Sequence, residues 1–326
     1  MATPVIHPSS SVDPSARVGP GVVIDPNVTI HRDVVVGADS YIGAGCILYE
    51  GCALGARNRL REFVVIGTSG SAESKCRVSI GDGNIIGAHC IIGLHPDNES
   101  FIAPQGPILV GDGNIFGANT LVQFPAHPHS TTRIGCGCSI MSDCAIGHDV
   151  VMMDGAVLYS KSLVCGDAVL STGARVGANS VVHQRCTVGA RTMVGMMVGV
   201  VKDTPPFVVT IAGKCTRLNR FLISRMEPTP SEADVAAYIA WLTGPYATAA
   251  TSAVGTGPKT RAVELPPWVS DSLAAGGAGT QWFADAVTEF FQRRMGERKL
   301  APLSRDFEAV VVGAGAVEPF ETRSRL

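Results

Sequence analysis

The sequence is poor in charged and aromatic residues, which make up 17% and 6% of its 326 residues. Low charge combined with 46% hydrophobic residues excludes a largely disordered chain. No apolar run reaches the ~18 residues that a membrane-spanning helix needs, and the N-terminus lacks the apolar core of a signal peptide. We therefore expect a cytoplasmic protein without an integral membrane segment.

Two further features are missing, namely paired cysteine spacing and a strong net charge. The ten cysteines are scattered and form no CxxC motif, which is typical of buried thiols in a reducing compartment. The formal net charge of −2 provides no broad attraction to phosphate backbones, so we expect no nucleic acid partner.

Glycine, by contrast, is abundant, with 37 residues, and an aliphatic residue recurs at every sixth position. This register runs through Ile6–Ile66, resumes at Ile80 and Val110, and is unbroken over Ile134–Val200. The period matches neither a helix nor an alternating strand. It fits a short strand followed by a tight turn, in which the aliphatic residue points inward and the glycine after it serves the turn.

This hexapeptide pattern resembles that of the left-handed parallel β-helix family, in which three hexapeptides form one triangular coil. The resemblance implies a mainly β fold with a β-helix domain over residues 1–205. The breaks in the register predict loop insertions at 67–78, 93–109 and 123–133.

Residues 206–326 have a different composition and predict a smaller α-helical C-terminal region. Ser231 is a candidate N-cap for a helix ending near Leu242, and Thr280–Lys299 has the pattern of a second amphipathic helix. The Ala-, Gly- and Thr-rich stretch 243–265 between them is predicted to be a linker.

The coil geometry brings distant residues together, because positions 18 apart stack at the interstrand spacing of ~4.8 Å. His148 follows the inward Ile146 and is expected to project outward, with Gly166 one coil further. Gln184 lies two coils further, beside His183. A histidine facing bare backbone suits acyl transfer, with a general base and an amide N–H for an oxyanion. A solvated surface histidine is the alternative interpretation.

Several stretches resemble one particular family. They are Ala145-Ile-Gly-His-Asp149, Val182-His-Gln184 and the segment from Met193 to Phe207. With the residues around them, they make the chain from Val5 to about Arg225 similar to the acyl-ACP:UDP-N-acetylglucosamine O-acyltransferases of lipid A biosynthesis, as a divergent member. The similarity covers about two-thirds of the chain.

The resemblance implies roles for the residues at this corner. His148 would be the general base, Asp149 the carboxylate beside it, and Gly166 the residue whose amide N–H polarises the thioester carbonyl. His183 and Gln184 would line a groove between subunits.

Two more distant positions also gain roles from the resemblance. Met196 falls where the family's acyl chain ends, and because methionine would shorten the groove, we expect a short to medium acyl group. Arg225 falls near an arginine that contacts substrate phosphate, although an ordinary surface arginine is an equal alternative.

The resemblance further implies a parallel homotrimer and a thioester donor, either an acyl carrier protein or coenzyme A. No metal site and no cofactor besides the donor are implied. The predicted activity is therefore the transfer of an acyl group from that thioester.

The sequence departs from the family in the part that would bind the acceptor. Ala145 and Asp167 stand where the family has histidines, and the segment 67–76 lacks the family's acidic and lysine residues. Phe124-Pro-Ala-His127 replaces a His-Arg-Gly-Thr loop. We therefore expect the acceptor to be a hydroxyl or amine of a small molecule or nucleotide sugar other than UDP-N-acetylglucosamine.

Two alternatives from other functional classes remain open. A zinc enzyme of the β-helical carbonic anhydrase type would need three converging histidines, for which His89, His127 and His129 are the candidates. The expected spacing of two ligands on one strand is missing. A catalytically silent scaffold that uses the C-terminal region as a binding module is the second alternative.

Overall fold

The structure is a computed structural model that describes residues 2–68, 78–95, 106–127, 129–226, 230–242 and 285–286. Most of the described residues form very short strands, as the hexapeptide period predicts. In chain order the strands are β1 (Val5–Ile6), β2 (Ser11–Val12), β3 (Arg17–Val18), β4 (Val23–Ile24), β5 (Thr29–Ile30), β6 (Val35–Val36), β7 (Tyr41–Ile42), β8 (Ile47–Leu48), β9 (Ala53–Leu54), β10 (Arg59–Leu60), β11 (Val65–Ile66), β12 (Val78–Ile80), β13 (Ile85–Ile86), β14 (Ile91–Leu94), β15 (Ile108–Val110), β16 (Ile115–Phe116), β17 (Leu121–Gln123), β18 (Thr132–Ile134), β19 (Ser139–Ile140), β20 (Ala145–Ile146), β21 (Val151–Met152), β22 (Val157–Leu158), β23 (Leu163–Val164), β24 (Val169–Leu170), β25 (Arg175–Val176), β26 (Val181–Val182), β27 (Thr187–Val188), β28 (Met193–Val194), β29 (Gly199–Val200), β30 (Val208–Ile211) and β31 (Lys214–Leu218). The helices are α1 (Arg220–Ile223) and α2 (Glu232–Trp241).

The strands form three stacked sheets of 12, 10 and 9 strands. The first sheet takes every third strand from β1 to β28 and continues through β30 and β31, the second runs from β2 to β29, and the third from β3 to β27. Successive coils pair in parallel at the same register, as Val5 with Val23 and Ile6 with Ile24. The chain therefore visits the three sheets in turn, and the predicted mainly β, parallel β-helix is confirmed.

The aliphatic residues of the period form the core. In most strands the first residue faces out and the second is buried, as in β7, where Ile42 is fully buried. The buried side chains form one continuous cluster from Val22 to Val200. Burial of a Val, Leu or Ile side chain contributes about 1.5–3 kcal/mol, so this stack is the main source of stability.

The glycine after each inward aliphatic leads into the turn, where a side chain is penalised as predicted, but in most coils it is not the residue with the left-handed backbone. The left-handed backbone occurs at the third residue after the aliphatic, for example at Asn27 and Asp33. The glycine itself is needed because adjacent coils approach closely there. A Cβ atom on Gly37 would lie 2.3 Å from the carbonyl carbon of Gly55.

The three insertions all leave the β-helix at one corner. Each follows a strand of the second sheet and precedes a strand of the third, between β11 and β12, β14 and β15, and β17 and β18. The flanking strands extend into the predicted loop ranges, where Ile108, for example, pairs with Thr132. His148 lies at this same corner in the next coil, between β20 and β21.

A buried asparagine ladder stabilises the interrupted coils. The Asn84 side chain donates to Asn58 Oδ1 at 3.0 Å, and the Asn114 side chain donates to Asn84 Oδ1 at 2.9 Å. All three side chains are fully buried. The ladder satisfies amide groups that would otherwise cost free energy inside the core.

The first sheet extends beyond residue 205, the predicted end of the β-helix domain. Strand β30 pairs in parallel with β28, and β31 then returns antiparallel to β30. Helix α2 starts with a capping box formed by Ser231 and Asp234, which confirms the predicted N-cap. Its Tyr238 hydroxyl donates to the Pro206 carbonyl at 2.5 Å, so the helix packs on the last coil.

The remaining C-terminal predictions lie outside the described residues. These are the linker at 243–265 and, apart from the helical residues 285–286, the helix at 280–299. No helix among the described residues is long and apolar enough to cross a membrane.

Candidate active site

His148 lies at the corner that follows β20, with its side chain directed outward. Its Nδ1 atom is 2.7 Å from Asp149 Oδ2, and its side chain is 30% exposed. Asp149 takes the left-handed turn conformation, with φ of 58°. This turn keeps the carboxylate beside the ring, so the two side chains form a histidine–carboxylate pair.

Asp149 is buried and firmly held by the third insertion and the strand after it. Its Oδ2 accepts from the Ala126 N–H at 3.0 Å, and its own N–H donates to Thr132 Oγ1 at 2.9 Å. Burial alone would raise the pKa of Asp149, but the neighbouring Ser130 hydroxyl, Ala126 N–H and His148 ring favour the ionised carboxylate, outweigh burial and lower the pKa.

The ionised carboxylate determines which nitrogen of His148 is able to accept a proton. A carboxylate only accepts hydrogen bonds, so the neutral ring carries its proton on Nδ1 and donates it to Asp149. The Nε2 lone pair is then free to accept a proton. This arrangement can perform general base catalysis.

Gly166 lies one coil from His148, as the register predicts, because Ala145 pairs with Leu163. The His148 ring covers this glycine so closely that a Cβ atom would lie 2.4 Å from Nε2. The Gly166 carbonyl accepts from the Arg185 N–H at 3.0 Å, whereas its own N–H has no acceptor among the described residues. That N–H is available to a developing oxyanion.

His183 and Gln184 lie one coil beyond Gly166, where Leu163 pairs with Val181. Both side chains are exposed, and His183 Nδ1 lies 3.3 Å from the Gln184 carbonyl oxygen. They extend the same corner along the helix axis, as predicted.

Met196 and Arg225 lie elsewhere in the single chain. Met196 follows β28, at the corner between the first and second sheets, and is 73% exposed. The Arg225 guanidinium stacks 4.1 Å above the ring of Phe221, next to α1. The structure does not bring either residue to His148 within one chain.

His127 is a site residue that the sequence predicted only as part of the zinc alternative. Its ring packs edge-on against the His148 ring, with centroids 5.7 Å apart and an interplanar angle of 81°. Its Nε2 atom lies 3.2 Å from Asp167 Oδ2. The hexapeptide register could not reveal this contact, because an insertion has no register.

The predicted zinc set is not brought together within the described chain. His89 stacks instead on Phe63, with ring centroids 5.1 Å apart. Among the described residues, the one group of at least three potential ligands within 4.8 Å of one another is His127, His148 and Asp149. The histidine–carboxylate hydrogen bond already explains two of these three.

The outward side of the second sheet, between the corners of Met196 and His148, is apolar over much of its length. The outward residues from β8 to β26 are Ile47, Val65, Ile91, Leu121, Ala145, Leu163 and Val181. Leu163 and Val181 are 39% and 40% exposed. The sheet thus presents an uncharged flat face beside the histidine–carboxylate pair.

Taken together, these features define a hexapeptide-repeat β-helix whose corner holds a histidine–carboxylate pair against a bare glycine. No family model matches the chain. A segment of 138 residues is 28% identical to the acyl-[acyl-carrier-protein]–UDP-N-acetylglucosamine O-acyltransferase of Anaeromyxobacter sp. (strain Fw109-5), covering 42% of this chain and 53% of that relative. A segment of 82 residues is 38% identical to the protein of the same name from Anaeromyxobacter sp. (strain K), covering 25% of this chain and 32% of that one.

The fold matches over a longer stretch than the sequence does. The solved structure of Arabidopsis UDP-N-acetylglucosamine acyltransferase superposes with a TM-score of 0.61 at 22% identity, covering 91% of this chain and all of that one. The chain spans about half the length of the first of these curated relatives and about a third of the length of the second. The predicted resemblance to these acyltransferases and the left-handed parallel β-helix are confirmed.

Proposed function

We propose that this chain is an acyltransferase that moves an acyl group from a thioester to a hydroxyl or amine of a small molecule or nucleotide sugar. One observation carries the proposal: His148, paired with Asp149, directs Nε2 to the backbone of Gly166. A base and an unpaired amide N–H at one point are what acyl transfer requires.

The proposed acyl transfer requires only proton transfer and the exchange of a carbon–sulfur bond for a carbon–oxygen or carbon–nitrogen bond, with no oxidant or reductant. His148 Nε2 takes the proton of the acceptor as its oxygen or nitrogen attacks the thioester carbonyl carbon. The Gly166 N–H stabilises the oxyanion, the carbon–sulfur bond breaks, and His148 returns the proton to the leaving thiolate. Asp149 stabilises the imidazolium formed in between.

The donor is proposed to be an acyl carrier protein or coenzyme A thioester. The curated relatives are named for acyl carrier protein as donor. The chain also carries basic residues near the open end of the coil, which suit an acidic carrier protein or a phosphopantetheine. They are Arg185, Arg191, Lys202, Lys214, Arg217 and Arg220. The step requires no metal or redox cofactor.

The acceptor site is proposed to differ from that of the named relatives. Asp167, where the family has a histidine, has its carboxylate occupied by His127 and lies 3.9 Å from Arg185 Nε. The loop positions that would contact a sugar nucleotide also differ in sequence. His183, Gln184 and Arg225 are the proposed substrate contacts.

A homotrimer is proposed on the basis of the apolar second sheet. In a closed three-fold ring each subunit presents two different faces to its neighbours, so the apolar second sheet of one subunit would pack against a different face of the next and lose its contact with water there. Such packing would cover the face between the corners of His148 and Met196 and create a groove there. Sedimentation at micromolar concentration is expected to give three times the 33.9 kDa chain mass, and a monomer would contradict the proposal.

The direct experiment is a panel of purified donors and acceptors. Acyl-ACP and acyl-CoA of several chain lengths are each incubated with amine, hydroxyl and nucleotide-sugar acceptors, including UDP-N-acetylglucosamine, and products are measured by mass spectrometry. Transfer to at least one acceptor is expected. No product with any pair would favour the silent scaffold, and rapid acylation of UDP-N-acetylglucosamine would overturn the acceptor assignment.

A further inference from the structure

The third insertion, residues 124–131 between β17 and β18, forms part of the His148 corner. Its Ala126 N–H donates to Asp149 Oδ2 at 3.0 Å. His127 follows directly and contacts His148 itself. The insertion therefore touches both members of the histidine–carboxylate pair.

His127 connects two successive coils. Its ring contacts His148 in one coil, and its Nε2 binds Asp167 in the next. Asp167 directly follows Gly166, and its N–H donates to the His148 carbonyl oxygen at 3.0 Å. The same histidine thus links the coil of the proposed base with the coil of the proposed oxyanion donor.

The contact between the His127 and His148 rings restrains a motion of the His148 ring that its hydrogen bond to Asp149 still permits. The hydrogen bond at Nδ1 fixes one edge of the His148 ring, but a single bond still permits the ring to tilt. A second ring packed edge-on at 81° limits that tilt and keeps Nε2 directed at Gly166. Small displacements of a catalytic group cost large factors in rate.

We propose that His127 is a positioning residue for His148, held in place by Asp167, which rests on the acyl transfer proposed above. Because its side chain is 51% exposed, its contacts contribute little to folding. Its loss is therefore expected to lower the rate of the chemical step without unfolding the protein.

The chain offers a matched control in the same loop. His129 is exposed, and among the described residues it has no hydrogen bond, ion pair or ring contact with His148 or Asp149. The variants to compare are His127→Asn, Asp167→Asn, the double variant and His129→Asn. Asparagine suits His129, whose φ is 62°.

The first readout separates kcat from KM. His127→Asn is expected to lower kcat by about 10- to 100-fold, with the KM for the donor changed less than about twofold, because positioning acts on the transition state. Asp167→Asn is expected to add little in the His127→Asn background. An unchanged kcat, independent effects of the two substitutions, or a loss confined to KM would each overturn the proposal.

The second readout does not depend on activity. In protein with 13C-labelled histidine rings, the His148 signal, assigned by its loss in His148→Ala, is expected to broaden or shift in His127→Asn and to stay unchanged in His129→Asn. An unaltered signal in His127→Asn would contradict the contact. A changed signal, together with no acyl transfer by the wild type, would support the contact and reject the proposed function.

Discussion

The corner of the β-helix that holds His148 differs on its two sides. Towards the N-terminus, three consecutive coils carry insertions, whereas towards the C-terminus the hexapeptides are uninterrupted from β19 to β29. The regular side supplies His148, Gly166 and Gln184 by register alone. The interrupted side adds Ala126, whose N–H donates to Asp149, and His127, whose ring contacts His148. The regular repeat therefore fixes the relative positions of His148, Gly166 and Gln184, whereas the insertions determine which residues surround them.

Among the substitutions on the uninterrupted side of this corner, Asp149→Asn is expected to cause the largest loss of kcat. The amide can donate to Nδ1 of His148, which places the ring proton on Nε2 and removes the base, with a loss of up to about 10⁴-fold in kcat. Transfer rates at neutral pH check this. A loss below about tenfold would contradict the role of the carboxylate.

The same variant also tests the pKa shift. Because the folded-state pKa of Asp149 is lowered, its ionised form contributes stability above the ordinary carboxyl pKa of about 3.9, and this is lost as pH falls through the folded pKa. Urea unfolding of Asp149→Asn is expected to show a shallower loss of stability with acid than the wild type.

A smaller effect is expected from Gly166→Ala. The new Cβ would lie 2.3 Å from His148 Cε1, so the ring must move, and we expect a loss of up to about 100-fold in kcat. Gly155→Ala is the control, since its Cβ meets nothing within 4 Å and its φ is 65°. That control is expected to lose about 1–2 kcal/mol of unfolding free energy and no activity.

The smallest effect is expected at Met196, where a substitution should change the preferred acyl chain length and not the overall rate. Met196→Gly is expected to extend the acyl chains accepted, because an exposed side chain at the proposed end of the groove is removed. Met197, which is 81% exposed, is the matched control, and Met197→Gly is expected to leave chain-length preference unchanged. Equal preferences in all three proteins would reject the assignment of Met196.

Sequence periodicity predicts most of the fold because each hexapeptide repeats one physical task. An inward aliphatic at every sixth residue determines both the core and the stacking of His148 on Gly166. The pattern predicted that the glycine after each aliphatic is needed at the turn, but it did not reveal the close approach of neighbouring coils, as at Gly37, because that approach is invisible to a one-dimensional pattern.

The contacts of the insertions could not be predicted for a related reason. A loop has neither period nor register, so the sequence does not reveal that His127 returns to His148 rather than meeting His89 or His129. The same holds for Arg225, whose stacking on Phe221 depends on the short turn of α1. Side chains placed by the coil were predictable, and side chains placed by insertions were not.

The most direct test of the proposed active site is acyl transfer by His148→Asn compared with His31→Asn. His31 lies at the same corner several coils away and stacks on Tyr49 at 4.9 Å, so it controls for loss of a corner histidine. With a donor and acceptor accepted by the wild type, His148→Asn is expected to lose at least about 100-fold in kcat, and His31→Asn to retain full activity. Transfer by His148→Asn at the wild-type rate would contradict the assignment of this corner as the active site.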